Sequence, residues 1–161
     1  MIKKVKKYFL LAALFAAPPA LAYTYDGDEL EPLHFGQLVI TDNSSIRSCT
    51  IPPGGSISCD AEITILNGGQ YGIFRISDYD PSVALWAYVD DSATTLENGG
   101  SAVFDIKNFT FAPDIGSIGN AALPEGDGSL EIKIGATLKT RAGETYDISP
   151  YRGTFTLQIN Y

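Results

Sequence analysis

Histidine is almost missing from this chain. His34 stands alone among 161 residues, with only two cysteines and one tryptophan beside it. A zinc site draws its ligands mainly from Cys and His, so the supply here excludes one. A lone histidine at the start of a strand is more often structural or solvated than catalytic. There is also no glycine-rich phosphate loop, no nucleophile elbow and no metalloprotease helix motif. The carboxylates that do come close together, Asp90-Asp91 and Asp26/Asp28, fall in turn-forming sequence, where Asp serves local backbone hydrogen bonds. The acidic stretches "YDGDELE", "DYDP" and "PEGDG" lack the spacing of an EF-hand and read as solvated turns rather than calcium sites. No catalytic residue, metal ligand or cofactor-binding residue is therefore assigned, and a non-enzymatic role is expected.

Basic residues are scarce as well, and four of them lie at the very start. Lys3, Lys4, Lys6 and Lys7 precede the apolar run "YFLLAALFAA", and "ALA" at Ala20–Ala22 has the small-x-small form of a cleavage site. Together these read as a secretory signal peptide over 1–22. The run is too short to cross a bilayer comfortably, and no later stretch is apolar enough to do so. Removing 22 of the 161 residues leaves a single domain of 139, residues 23–161, with 7 basic and 19 acidic side chains, a balance of −12. Such a chain repels nucleic acid and anionic membrane surfaces. Export to the periplasm, and from there to the cell surface or beyond, is the expected localisation.

Both cysteines belong to the exported part. Cys49 and Cys59 flank "TIPPGGSIS", whose Pro-Pro-Gly-Gly centre marks a turn. An oxidising compartment and an even count favour a disulfide between two strands folded back at that turn, worth about 2–3 kcal/mol in the chain-entropy account. The sequons "NSS" (43–45) and "NFT" (108–110) receive no role from the sequence.

A helical period is missing throughout the exported part. Period-two alternation broken by Gly, Pro, Asn and Asp recurs instead, over 36–41, 46–51, 56–66, 70–77, 83–89, 101–112, 129–140 and the closing "YRGTFTLQINY". In 101–112 Phe104 and Ile106 share one parity and Phe109 and Phe111 the other, which predicts a bulge near Lys107-Asn108. The stretch 83–89 is apolar on both faces, and Trp86 and Tyr88 on one of them are expected in the core. An all-β domain of about seven to nine strands follows, either a two-sheet sandwich or a small eight-stranded barrel.

The closing strand alternates Tyr151, Gly153, Phe155, Leu157, Ile159 and Tyr161 against polar neighbours. Three readings are open. It is an ordinary core strand; or the last strand of an outer-membrane barrel, where a terminal aromatic is common; or an edge that accepts a strand from another chain. The lack of aromatics for interfacial girdles in 56–66 and the disulfide turn speak against the barrel.

"LHFGQL" (33–38), "KIGATL" (133–138) and "YRGTFTLQINY" (151–161) resemble the L-x-F-G, G-[GA]-x-L and Y-x-G-x-F-x-x-x-x-x-Y motifs of the domain-of-unknown-function 4402 family of small exported bacterial proteins. That family is similar to the pilin and spore-coat-type subunits of chaperone–usher fimbriae. The resemblance implies an immunoglobulin-like sandwich, a structural or adhesive role at the cell surface, and strand addition involving a periplasmic chaperone, an usher and neighbouring subunits. It supplies no catalytic residue. It implies that Phe35-Gly36 opens the first core strand, that the closing-strand set forms the assembly edge, and that Tyr161 is the aromatic a partner grips. One departure stands out. Only twelve residues, Tyr23 to His34, precede Phe35, and among them only Tyr23 and Tyr25 offer apolar side chains before a run of carboxylates that is costly to bury. A minor or tip-like subunit, or a stand-alone ligand-binding domain, fits this better than a strong donor.

Overall fold

The computed structural model describes residues 26–77, 86–113 and 129–160. Residues 1–25, where the signal peptide and the candidate donor residues Tyr23 and Tyr25 are expected, and Tyr161 lie outside the described residues. The described chain is all β, with eleven strands and no helix among the described residues. They are β1 (Asp26–Glu31), β2 (Gln37–Ile40), β3 (Ser48–Ile51), β4 (Ser58–Cys59), β5 (Ile63–Asn67), β6 (Gly72–Ser77), β7 (Trp86–Val89), β8 (Thr95–Glu97), β9 (Val103–Ala112), β10 (Leu130–Lys139) and β11 (Leu157–Asn160).

The spine is β10, the most regular alternation in the sequence. On one flank it takes β6 along Leu130–Ile134 and then β3 along Ala136–Lys139; β9 runs along the other. β1 extends the sheet beyond β6, β4 beyond β3 and β8 beyond β9, making seven antiparallel strands. Alternation puts Leu130, Ile132, Ile134, Ala136 and Leu138 on one face, all buried. Full burial of a side chain such as Ile132 contributes about 1.5–3 kcal/mol. The other face carries Glu131, which pairs with Arg75 across the ladder.

Among the described residues the second layer consists of two separate two-stranded ribbons, β2–β5 and β7–β11. The β2–β5 ribbon brings Ile63, with Leu38 and Ile40, onto a cluster built from Leu33, Phe35, Cys49, Ile51, Leu96, Phe104, Ile106, Ala136 and Leu138. The β7–β11 ribbon lays Ala87 and Leu157 on a second cluster of Phe74, Ile76, Leu130, Ile132 and Ile134. Phe109 and Phe155, with ring centroids 4.9 Å apart, touch both clusters and join them. The result is a sandwich whose apolar faces point inward, the reverse of a lipid-facing barrel.

The phase change expected at Lys107-Asn108 is an irregular register opposite Gly135–Thr137, and Asn108 has a φ of 53°. Three expectations need correction. The 56–66 segment is two strands, because Asp60 turns the chain by accepting from Ser48 N through its carboxylate. The amino-terminal acidic stretch, not expected as a strand, forms β1 against β6. The closing strand is regular only over Leu157–Asn160; before it, Arg152 makes an isolated two-way bridge with Glu97.

Candidate functional site

The residues assigned to the assembly edge fall into two groups. Tyr151, Gly153 and Phe155 precede β11 and belong to a strap that crosses the first cluster. Tyr151 meets Phe104 edge-on at 4.9 Å, and Phe155 reaches Phe109. Gly153 is there because the strap runs against the backbone of β8: a Cβ at this position would collide with the carbonyl of Thr95. Leu157 and Ile159 belong to β11, opposite Val89 and Ala87 of β7, and Leu157 is buried. The set therefore does not form one continuous edge.

Trp86 and Tyr88 are not core residues. Parity within β7 sends Ala87 inward at 2 % exposure, while Tyr88 stands 46 % exposed on the opposite face, across from Gln158. Period two reveals that a strand has two faces, but when both are apolar it does not say which one the core takes.

At the sheet's margin, β1 contributes little to the core. Gly27 lies over the ring of Phe74 with no room for a side chain, and Asp28, Glu29, Leu30 and Glu31 are exposed. Its strand character comes chiefly from the backbone ladder to β6, which hydrophobic alternation cannot signal. The chain becomes anchored just after Pro32, where Leu33 is 2 % exposed and His34 exchanges backbone hydrogen bonds with Gln70. The histidine thus acts through its main chain.

The disulfide joins Cys49 and Cys59 as directly opposed residues of β3 and β4. Between them Gly55 N donates to Pro52 O, with Gly54 at φ 80°; Pro at the second position and Gly at the third suit a type II turn. That turn folds over β10 at Gly135, where any side chain would strike the carbonyl of Ile51 and the ring of Pro53.

Just beyond the C-terminal end of β10, a polar corner is built around Tyr146. Its hydroxyl donates to Val103 O at 3.0 Å and accepts from Arg141 N at 2.7 Å, while its ring stacks on Phe104 at 4.1 Å. Burial raises its pKa above the usual phenol value. Arg141 holds Asp105 through two hydrogen bonds and lowers that carboxyl's pKa. Asn43 donates both amide hydrogens, to Arg141 O and Glu144 O, so its sequon nitrogen is committed to the fold. Asn108 of the other sequon is exposed. Apart from Tyr146 and Arg141, the partners of this corner lie about forty to a hundred residues apart, and no local pattern announces them. Among the described residues no three of His, Cys, Asp and Glu gather as metal ligands would.

All three short motifs turn out to be architectural. Leu33 and Phe35 are buried and Gly36, at φ 75°, meets the carbonyl of Asn67; Gly135 admits the disulfide turn; Gly153 admits β8. The geometry defines a disulfide-bonded β-sandwich in which each motif closes a backbone crossing. The chain belongs to the domain-of-unknown-function family DUF4402, whose match spans residues 26–161. No curated protein and no solved structure matches the chain.

Proposed function

We propose that this protein is an exported, non-enzymatic structural or adhesive subunit of a cell-surface assembly of fimbrial type, joined to its neighbours by strand addition. The observation that carries this reading is the β7–β11 ribbon, which among the described residues is a layer of two strands set apart from the seven-stranded sheet. Around it Val89, Phe109, Phe111 and Phe155 are only partly buried against the second cluster. A strand laid alongside the ribbon would widen the layer and take these side chains from water. The acidic β1 is used within its own chain, which favours a subunit that receives a strand over one that gives one.

The test is expression into the periplasm with a candidate chaperone and usher, followed by a denaturing gel of boiled and unboiled samples. Co-purification with the chaperone, or a ladder that boiling collapses, supports the reading. A monomer that captures neither chaperone nor neighbour refutes it.

A second reading, a glycan-binding face on the same domain, is favoured by the exposed Tyr88 and Gln158 beside half-buried Trp86 on the outer side of the ribbon. Aromatic faces of this kind offer large contact area at low entropic cost. Trp86 is the chain's single tryptophan, so intrinsic fluorescence reports on this face directly. A saturable change on adding polysaccharide supports binding there; an unchanged spectrum across a glycan panel removes it.

A further inference from the structure

The sequence contains Asn-Gly twice, at Asn67-Gly68 and Asn98-Gly99. In such a pair the glycine nitrogen can attack the asparagine side-chain carbonyl, unhindered by a Cβ. The local sequences are nearly alike, and the structure separates them. Asn67 ends β5, paired with Gln37, and its carbonyl is wedged against Gly36 together with the carbonyl of Gly68. The Asn67-Gly68 peptide is held by the ladder to Gln37 and by its close approach to Gly36, although both residues are exposed on their outer side.

Asn98 sits in the turn between β8 and β9. Its Oδ1 accepts from Gly100 N at 2.8 Å, which folds the side chain back over the following peptide. Its Nδ2 donates to Asp147 Oδ1 at 2.8 Å. Gly99 is exposed at φ 88°. As at Gly68, nothing lies within 4 Å of where a Cβ would stand, so the two sites differ in the fold-back of the asparagine side chain and not in room at the glycine. The donor on Oδ1 is placed where negative charge develops when the carbonyl is attacked.

We infer that Asn98-Gly99 is a built-in site of self-modification, at which the folded protein converts an amide to a carboxylate. Gly99 N, giving its proton to solvent, bonds to Asn98 Cγ; the Cγ–Nδ2 bond breaks and the nitrogen leaves as ammonia with a proton from water. The resulting succinimide is opened by water at either carbonyl, giving an aspartyl or isoaspartyl residue. The net change is amide plus water to carboxylate plus ammonium, with no oxidant or reductant.

The product has a mechanical consequence. A carboxylate would now face Asp147 where an N–H had bridged to it, and attraction becomes repulsion. Asp147 N in turn donates to Tyr151 Oη, and Glu97, next to Asn98, holds Arg152 by two backbone hydrogen bonds. The modified residue thus lies at the fastening of the strap that leads into β11, and conversion loosens it.

The experiment ages the purified mature protein at mildly alkaline pH and maps both sites by peptide mass, in the folded protein and in urea. In the folded protein Asn98 is expected to convert about tenfold faster than Asn67, equivalent to roughly 1.4 kcal/mol in barrier. In urea the two rates converge. Asn98→Gln removes the reaction without removing the amide. Equal rates at the two sites in the folded protein, or no conversion at Asn98, overturn the inference. For the consequence, Asn98→Asp is expected to melt below Asn98→Ser, which loses the amide without gaining charge; equal melting of the two contradicts the loosening.

Discussion

Gly153 passes so close to the carbonyl of Thr95 that no side chain fits between them. This contact, with the Glu97–Arg152 bridge beside it, fixes where the strap crosses β8 before the chain turns into β11. Gly153→Ala should therefore cost about 1–3 kcal/mol, the usual range for overpacking, and toward its upper end because the obstacle is backbone. Gly68→Ala is the control, since nothing lies within 4 Å of the added carbon there. Urea unfolding of both variants checks the difference.

Removing the disulfide should be felt globally despite its short loop. Its closure spans 10 residues and Cys49 has no exposed surface. Replacing both cysteines by alanine is expected to cost about 2–3 kcal/mol from loop closure. The urea midpoint should fall while secondary structure by circular dichroism is kept at low denaturant.

Tyr146 can be tested without disturbing its ring. Tyr146→Phe keeps the stack on Phe104 and removes the bonds to Val103 O and Arg141 N. A loss of about 0.5–1.5 kcal/mol is expected, the net worth of ordinary hydrogen bonds, because Val103 O is only part-buried and Arg141 N can turn to water.

Stability should fall at both ends of the pH scale, for separate reasons. Burial raises the pKa of Tyr146 in the folded state, so its contribution is complete below the unfolded value near 10.0 and is lost as pH rises through the folded one. The hydrogen bonds from Arg141 lower the pKa of Asp105, so its contribution is present above 3.8 and is lost as pH falls through the folded value. Asp42 and Asp90, lowered by the backbone N–H groups of Ser44 and Ser92, add to the acid limb. Thermal melts across pH should show the alkaline fall weakened in Tyr146→Phe and the acid fall weakened in Asp105→Asn.

What the sequence disclosed follows from what alternation encodes. Strand β10, the Cys49–Cys59 hairpin and the phase break at Asn108 were legible because each leaves a local mark: a clean period, a Pro-Pro-Gly-Gly turn, a change of parity. Strand β1 was not, since its pairing depends on the backbone of β6 and the side chains of Asp28, Glu29, Leu30 and Glu31 are exposed. Strand β8, three residues long, is too short to show a period. Trp86 and Tyr88 were placed on the wrong side because both faces of β7 are apolar. The strap from Tyr151 to Phe155 alternates as a strand does, yet only Arg152 within it bridges a neighbour. The polar corner at Tyr146 depends on partners far apart in the chain, beyond any local pattern.

Hydrogen exchange on the assembled and monomeric protein tests the central claim most directly. If neighbours join by adding a strand beside the β7–β11 ribbon, amides of Trp86–Val89 and Leu157–Asn160 become slower to exchange on assembly, while those of Gln37–Ile40 and Ile63–Asn67 keep their rates. Assemblies that form with the β7–β11 amides unchanged would contradict it.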